Sequence, residues 1–389
     1  MKLVTSESVS PGHPDKVADQ ISDAVLDWCI SRDPHAHVAC ETMVAKDNVV
    51  LSGEISGDGI DAEAIPLDEI VRPVIRDIGY DMPGFDWRTV EITSFLHGQS
   101  DDIAQGVNAS GRHEQGAGDQ GIMFGCAVPD DFGTEYMPVP ISCCHRLMAY
   151  MWNARRTWDE WSAVLLPDAK CQMTFDMEDA SRPVLKSAVL SHQHRPSMDM
   201  DAFRSFAVDA VKAVVPEEMR GDAFEVVGPD QAPDYGRKGV VWMYVNPTGQ
   251  FVKGGPDADA GLTGRKIVVD TYGGQGRVGG GSLSSKDPSK VDRSAAYMCR
   301  KVAKDICRAT GRPAEVSVAY AIGCPHPLEV RVDTGSEMDD GITRDALAKY
   351  DFRPRGIIDF LGLEHPNGWT YRQTAMNGHF GHREFPWER

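Results

Sequence analysis

Apolar residues recur at helical spacing soon after the N-terminus. From Asp15 onward, Val17, Ile21, Val25 and Trp28 fall on one face with Ala24 beside them, which predicts a helix. The next run, HVACETMV, alternates: Val38, Cys40, Thr42 and Val44 share one side, as in a half-buried strand. Lys46-Asp47-Asn48 carries turn chemistry, and VVLSGEI reads as the returning strand. Ile70, Val74 and Ile78 restore the helical period, Gly79 closes it, and Pro73 inside it predicts a kink.

The same order then recurs twice. PISCCHRLMAYMWNARRT and AFRSFAVDAVKAVV read as helices flanking the strands CQMTFDM and VLKSAVLSH. DRSAAYMCRKVAKDICRA is helical, with Ala295, Cys299, Val302 and Ile306 on one face; AEVSVAYAIG and PLEVRVDTG are strands, and GIIDFLGL lies in a late helix. This pattern predicts an α+β protein of three similar αβ units, each with helices packed on one face of its sheet. The expected units are 1–100, 122–241 and 242–389, with 101–121 as a mobile loop and linker. The span His97–Gly121 has six glycines and no clean period, which suits a lid. RKIVVDTY reads as a strand, and Gly228–Gly239 as an ordinary loop.

Composition narrows the partners. The 389 residues carry a formal net charge of −18, so nucleic acid and anionic membrane are not expected partners. Any anionic ligand needs locally clustered cations. Nine cysteines without a C-x-x-C pair, and no apolar leader in MKLVTSESVSPGHPDK, predict a reduced, cytoplasmic protein.

One such cluster stands out. YGGQGRVGGGSLSSKDPSKVDRS, from Tyr272 to Ser294, holds six glycines, then Lys286, Asp287, Lys290, Asp292 and Arg293. Glycines let backbone approach a ligand, the cations suit a polyphosphate, and a carboxylate such as Asp292 suits its metal. Gly274-Gln-Gly276-Arg-Val-Gly279 mimics a dinucleotide fingerprint, but Pro288 and a polar run separate it from the next helix. Three further stretches carry chemistry. GHPDK offers His13, Asp15 and Lys16, where Asp15 serves equally as a helix cap; GAGDQG offers Asp119; GLTGRK offers Arg265 and Lys266. Lys170 in DAKCQM reads as a solvated lysine when taken alone.

Taken together, these stretches resemble the S-adenosylmethionine synthetase (methionine adenosyltransferase) family almost end to end. The match rests on TSESVSPGHPDKVADQISDAVLD, HEQGAGDQGIMFG, GGPDADAGLTGRKIVVDTYGG, GGGSLSSKDPSKVDRSAAY and GHFGHREFPWE. The resemblance implies three αβ domains about a pseudo-threefold axis. It implies transfer of the adenosyl group of ATP to the sulfur of L-methionine, with the triphosphate then split to phosphate and pyrophosphate. Two Mg2+ per site and K+ are the implied cofactors, and a homodimer or homotetramer with sites at the dimer interface is the implied assembly.

Carried over residue by residue, the resemblance puts His13 beside the breaking bond and makes Lys170, Arg265, Lys266 and Lys286 the phosphate ligands. Asp15 and Asp292 would bind Mg2+, and Glu41 the K+. Phe251 would stack on adenine, with Gln250, Asp168, Ser282 and Asp119 also at the nucleotide. Glu54, Gln99, Asp259 and Lys290 would fix the amino acid, Ile322 would lie near its side chain, and Asp259 would also reach ATP. Gln99–Ala109 matches the mobile active-site loop, and His13 and Lys170 need not come from one chain. Pro11, Gln250, Lys253, Ser282, Leu283 and Ser285 stand where other residues are usual in the family. Two readings compete: the same chemistry with another sulfur amino acid or nucleotide, since the changed positions cluster near the adenine and phosphate positions, and a non-catalytic regulatory or binding subunit of the same fold, which would have little use for the whole set of cations and carboxylates.

Overall fold

The computed structural model describes residues 1–99 and 114–389. Of the expected mobile loop, residues 100–113 lie outside the described residues. Three sheets and the helices that cover them make up the α+β fold.

The central sheet runs β1 (Leu3–Val9), β8 (Leu165–Asp176), β9 (Val184–His194), β11 (Val240–Val245), β10 (Ala223–Val226). The N-terminal sheet runs β12 (Gly261–Leu262), β2 (His37–Ala45), β3 (Asn48–Ser56), β6 (Glu91–His97). The third runs β14 (Glu329–Asp333), β13 (Ala314–Tyr320), β7 (Gly121–Ala127). A two-stranded ribbon, β4 (Asp81–Met82) with β5 (Phe85–Asp86), completes the set. The sheets interleave along the chain: β1 pairs with β8, β12 with β2, and β7 with β13.

Helix α1 (Pro14–Ile30) presents Val17, Ile21 and Val25 to the same core as Val38, Cys40 and Val44 of β2, as their spacing predicts. Helix α2 (Leu67–Ile78) packs on α1 and ends at Gly79, whose φ of 97° is the left-handed closure that glycine allows. Helices α3 (Val139–Thr157) and α4 (Met200–Val214) cover the central sheet; α5 (Val291–Thr310) covers β7 and β13 and carries α6 (Pro354–Leu361) on it.

Two departures from expectation bear on the site. RKIVVDTY is not a strand: Ile267–Asp270 is a single helical turn. Asp270 N donates to the Lys266 carbonyl, and the Asp270 carboxylate is anchored on buried Lys16, so tertiary contacts override the β-branched residues. The second is β1, which the apolar pattern does not reveal. It buries serines, with Ser6 Oγ donating to Gly273 O (2.8 Å) and Ser8 Oγ bonded to His145 Nδ1 (2.9 Å).

Candidate active site

The pairing of β1 with β8 sets Val9 opposite Lys170, and this register carries GHPDK onto the start of β8. Ser10 N donates to Ala169 O, and Ser10 Oγ to Pro167 O. Gly12 is required there, because a Cβ would lie 2.3 Å from Pro167 O. His13 then caps α1: its Nδ1 accepts the Asp15 N–H (3.1 Å). That bond fixes the tautomer, leaving the proton on Nε2, which is buried and without a partner. Burial first, then the charges of Lys266 and Lys170, push the imidazole down to about 3, so it is neutral at physiological pH. His13 and Lys170 are therefore neighbours within the chain.

Asp15 Oδ1 accepts the Leu262 N–H (2.9 Å) and Oδ2 accepts Lys266 Nζ (2.5 Å), with Arg265 Nε 3.7 Å away. Burial would raise this carboxyl, but the Lys266 and Leu262 bonds outweigh it and hold it below its ordinary range. Gly261 lets the GRK segment come this close: a Cβ there would meet Pro14 O at 2.1 Å. Asp168 completes this arm. Its Oδ2 accepts the Gly255 N–H (2.9 Å), while Oδ1 is buried without a partner, and burial raises the carboxyl to about 6. Phe251 is fixed by two backbone bonds to His194, from Phe251 N to Nε2 and from His194 N to Phe251 O. Gln250 beside it and Asp259 are exposed.

The glycine loop makes a second arm. Asp292 Oδ1 accepts the Gly281 N–H (2.5 Å), and Oδ2 accepts Lys286 Nζ (2.8 Å). Glu41 stands on the open face of β2, its Oε1 3.5 Å from Ser285 Oγ. Ser282 Oγ donates to Ser284 O, and the residue packs against Gly264, so the loop touches the GRK segment. The cations remain in two pairs, Lys266 on Asp15 and Lys286 on Asp292.

Of the residues expected at the amino acid, Asp259 lies near Asp168 in the first arm, and the others are carried by further segments. Gly118 N donates to Ser289 O, which sets GAGDQG and Asp119 beside Lys290. In the same strip Ala117 O accepts the Gly323 N–H and Ala117 N donates to Cys324 O, next to Ile322, which is half exposed. Gln99 accepts from Ser56 Oγ (3.2 Å) near the end of β3, the strand that carries Glu54. His37, paired with Ser56 across β2 and β3, also bonds Ser289 (3.2 Å). A cavity of about 600 Å3 opens between these elements, lined by His37, Ser56, Gly57, Asp287 and Ser289 among others.

A stripe of carboxylates along α1, which motif reading overlooked, ties the arms together. Asp15, Asp19, Asp23 and Asp27 recur every fourth residue, so they share one helix face. Each holds a segment far away in sequence: Asp15 takes Leu262 N, Asp19 takes Gly264 N, Asp23 takes Ser285 N, and Asp27 takes Tyr371 N and Arg372 N. Buried cations balance the middle of the stripe. Lys16 Nζ reaches Asp19 (2.9 Å) and Asp270 (2.5 Å), and Arg293 binds Asp23 through both terminal nitrogens (2.7 and 2.9 Å). Burial opposes the Lys16 charge, but Asp19 and Asp270 prevail and keep it protonated; burial raises Asp270 to about 7. The D-x-x-x-D spacing was the available signal, masked because it reads as a solvated helix face.

Three family models match the chain in order. They are S-adenosylmethionine synthetase, N-terminal domain, over residues 1–101; central domain, over 114–251; and C-terminal domain, over 253–389. The S-adenosylmethionine synthase of Treponema pallidum (strain Nichols) is 46% identical over 396 residues, covering 99% of this chain and 93% of that protein. That of Pelagibacter ubique (strain HTCC1062) is 43% identical, covering 100% and 96%. Among solved structures, an unusual S-adenosylmethionine synthetase from Campylobacter jejuni superposes with a TM-score of 0.85 at 32% identity, covering 100% of this chain and 97% of that one.

Proposed function

The chain belongs to the S-adenosylmethionine synthetase family, and on that premise we propose that it joins the adenosyl group of ATP to the sulfur of L-methionine. A sulfur lone pair attacks the ribose C5′, the C5′–O bond breaks, and its electrons leave on the triphosphate. A thioether carries no proton, so this step needs no general base. Its difficulty is the charge gathering on the leaving oxygen. The observation that carries the reading is His13: a neutral, buried imidazole whose unshared Nε2–H stands beside Lys266 and Lys170. That donor meets the leaving oxygen while Lys170, Arg265 and Lys266 take up phosphate charge.

Lys286 holds the triphosphate from the glycine loop. Asp119, Asp168, Gln250, Phe251, Asp259 and Ser282 bind the nucleotide, and the unpartnered Asp168 Oδ1 is an acceptor ready for a hydroxyl. Glu54, Gln99, Asp259, Lys290 and Ile322 receive methionine. Water then splits the triphosphate to phosphate and pyrophosphate.

Asp15 and Asp292 would each hold a Mg2+, two per site, and Glu41 a K+. The donors fit: both aspartates are buried carboxylates whose outer oxygen now faces a lysine ammonium. Among the described residues no three or more His, Cys, Asp or Glu side chains converge on one point. Substrate phosphates would therefore complete the coordination, as suits Mg2+. Held by Asp15 and Asp292, such ions would supply positive charge against the triphosphate.

The working form is a homodimer or homotetramer with sites at the dimer interface. Open sheet faces support this: Phe95, Met43, Leu262 and Ile122 are exposed on β6, β2, β12 and β7, and Phe95 is 62% exposed. In this arrangement the His13 arm of one chain meets the Lys286 arm of its partner. The cytoplasm is the proposed compartment. All nine cysteines are free, which suits reducing conditions. Among the described residues no helix is long and apolar enough to cross a membrane.

Purified protein with ATP, methionine, Mg2+ and K+ should yield S-adenosylmethionine by mass spectrometry, with one phosphate and one pyrophosphate per product. Protein that binds ATP yet forms no such product would overturn the assignment.

A further inference from the structure

We propose that Asp23 is a positioning residue that, through Ser285 and Arg293, sets Lys286 and Asp292 for the triphosphate. This rests on the reading of Lys286 as a phosphate ligand. Asp23 lies on α1 and is not among the residues expected at the substrates. Its carboxylate is fully buried, and all of its bonds go to the glycine loop or to the start of α5. Oδ1 accepts the Ser285 N–H (3.0 Å) and Arg293 Nη1 (2.7 Å); Oδ2 accepts Arg293 Nη2 (2.9 Å). The same Nη1 donates to the Lys286 carbonyl (3.1 Å). The two outer backbone groups of the Ser285–Lys286 pair, the Ser285 N–H and the Lys286 carbonyl, are thereby tied, directly or through Arg293, to one carboxylate.

The tie has something to hold. Ser285 sits at φ 83°, in the left-handed region that side-chain-bearing residues rarely enter. Such a conformation persists only where its surroundings fix it. Strand β2 holds one side, with Cys40 N donating to Ser285 O and Asp287 N to Val38 O, both at 3.1 Å. Asp23 holds the other. Arg293 follows Asp292 directly, so the Asp23–Arg293 pair also fixes the first turn of α5, where Asp292 receives Lys286 Nζ and Gly281 N. A loop free to relax at Ser285 would keep Lys286 in the sequence and lose its aim.

The test uses the full-length protein with magnesium tripolyphosphate as the probe, in calorimetric titrations of Asp23→Asn, Lys286→Ala and the double variant. Asparagine keeps an acceptor for Ser285 N but removes the charge facing Arg293. Asp23→Asn should weaken tripolyphosphate binding roughly tenfold, the scale of one lost charge-assisted hydrogen bond, with the KM for methionine changed by less than about twofold. Because Asp23 acts on the unit that holds Lys286 and Asp292, the double variant should bind more tightly than the product of the two single losses. Unchanged affinity in Asp23→Asn, or effects that multiply in the double variant, would overturn the proposal. If Lys286→Ala itself binds tripolyphosphate normally, the fault lies in the phosphate reading beneath it. Where Asp23→Asn does not fold, Arg293→Lys carries the same test: it keeps a charge against Asp23 but gives up the guanidinium that spans Asp23 and the Lys286 carbonyl.

Discussion

Replacing His13 by asparagine separates its two duties. The ring caps α1 through Nδ1, which accepts Asp15 N, and it offers Nε2–H to the substrate side. Asparagine is among the best N-caps, and its Oδ1 can stand near the position of Nδ1. It is too short to place a donor where Nε2 stands. Stability should therefore change by less than about 1 kcal/mol, whereas loss of one preorganised donor to a developing negative charge costs about 2.7–4 kcal/mol, or roughly 10²–10³ in kcat. His13→Ala loses both duties, and its missing cap should cost a further ~0.5–2 kcal/mol of stability. The assay pairs steady-state S-adenosylmethionine formation with urea unfolding of the same samples. His13→Asn with kcat within about fivefold of the parent, at unchanged stability, would refute the role given to Nε2, since fivefold is only about 1 kcal/mol.

Other groups make separate predictions. His192 is buried, and burial pushes it down to about 4. Unfolded, it takes a proton near 6.5, so its contribution to stability is complete above that pH and is lost as pH falls toward 4. His192→Gln should flatten the pH dependence of unfolding free energy across that window, and parallel curves would contradict this. Glu388 accepts Arg300 Nε (2.9 Å) and Lys304 Nζ (2.8 Å), both buried, and Gly381 N (2.8 Å). Glu388→Gln leaves two buried cations short of a counter-charge and should cost about 3–5 kcal/mol by urea unfolding; a loss below about 1 kcal/mol would show the cluster to be unimportant. Chelation of divalent ions should abolish turnover and Mg2+ should restore it, because Asp15 and Asp292 alone are too few ligands; full turnover in excess chelator would remove the metal assignment.

Elements with a clean apolar period were legible in the sequence. Val17, Ile21 and Val25, or Ala295, Cys299, Val302 and Ile306, announce α1 and α5, because each face has one core to fill. Strand β1 was not, because its buried positions are serines satisfied by Gly273 and His145, bonds that no local pattern encodes. RKIVVDTY looked like a strand because Ile267, Val268 and Val269 are β-branched; the Lys16–Asp270 pair that bends it joins residues 254 positions apart. At the site, residue types were readable and pairings were not. GHPDK and GRK became one arm only when β1 met β8 and Gly261 met Pro14. The α1 carboxylates were visible as a spacing, but their partners come from three loops spread over the chain.

The central claim is that the arm carrying His13, Lys170 and Lys266 and the arm carrying Lys286 and Asp292 hold one triphosphate from two chains. Subunit exchange between two inactive proteins, His13→Ala and Lys286→Ala, tests it most directly. If the arms come from different chains, each mixed dimer has one site with both defects and one with neither. S-adenosylmethionine formation should then return to roughly half the parent rate per mixed dimer for independent sites. His13→Ala mixed with Lys170→Ala should stay inactive, because those two residues share an arm. No recovery in the first mixture, with exchange shown by mass spectrometry of intact dimers, would contradict the shared site.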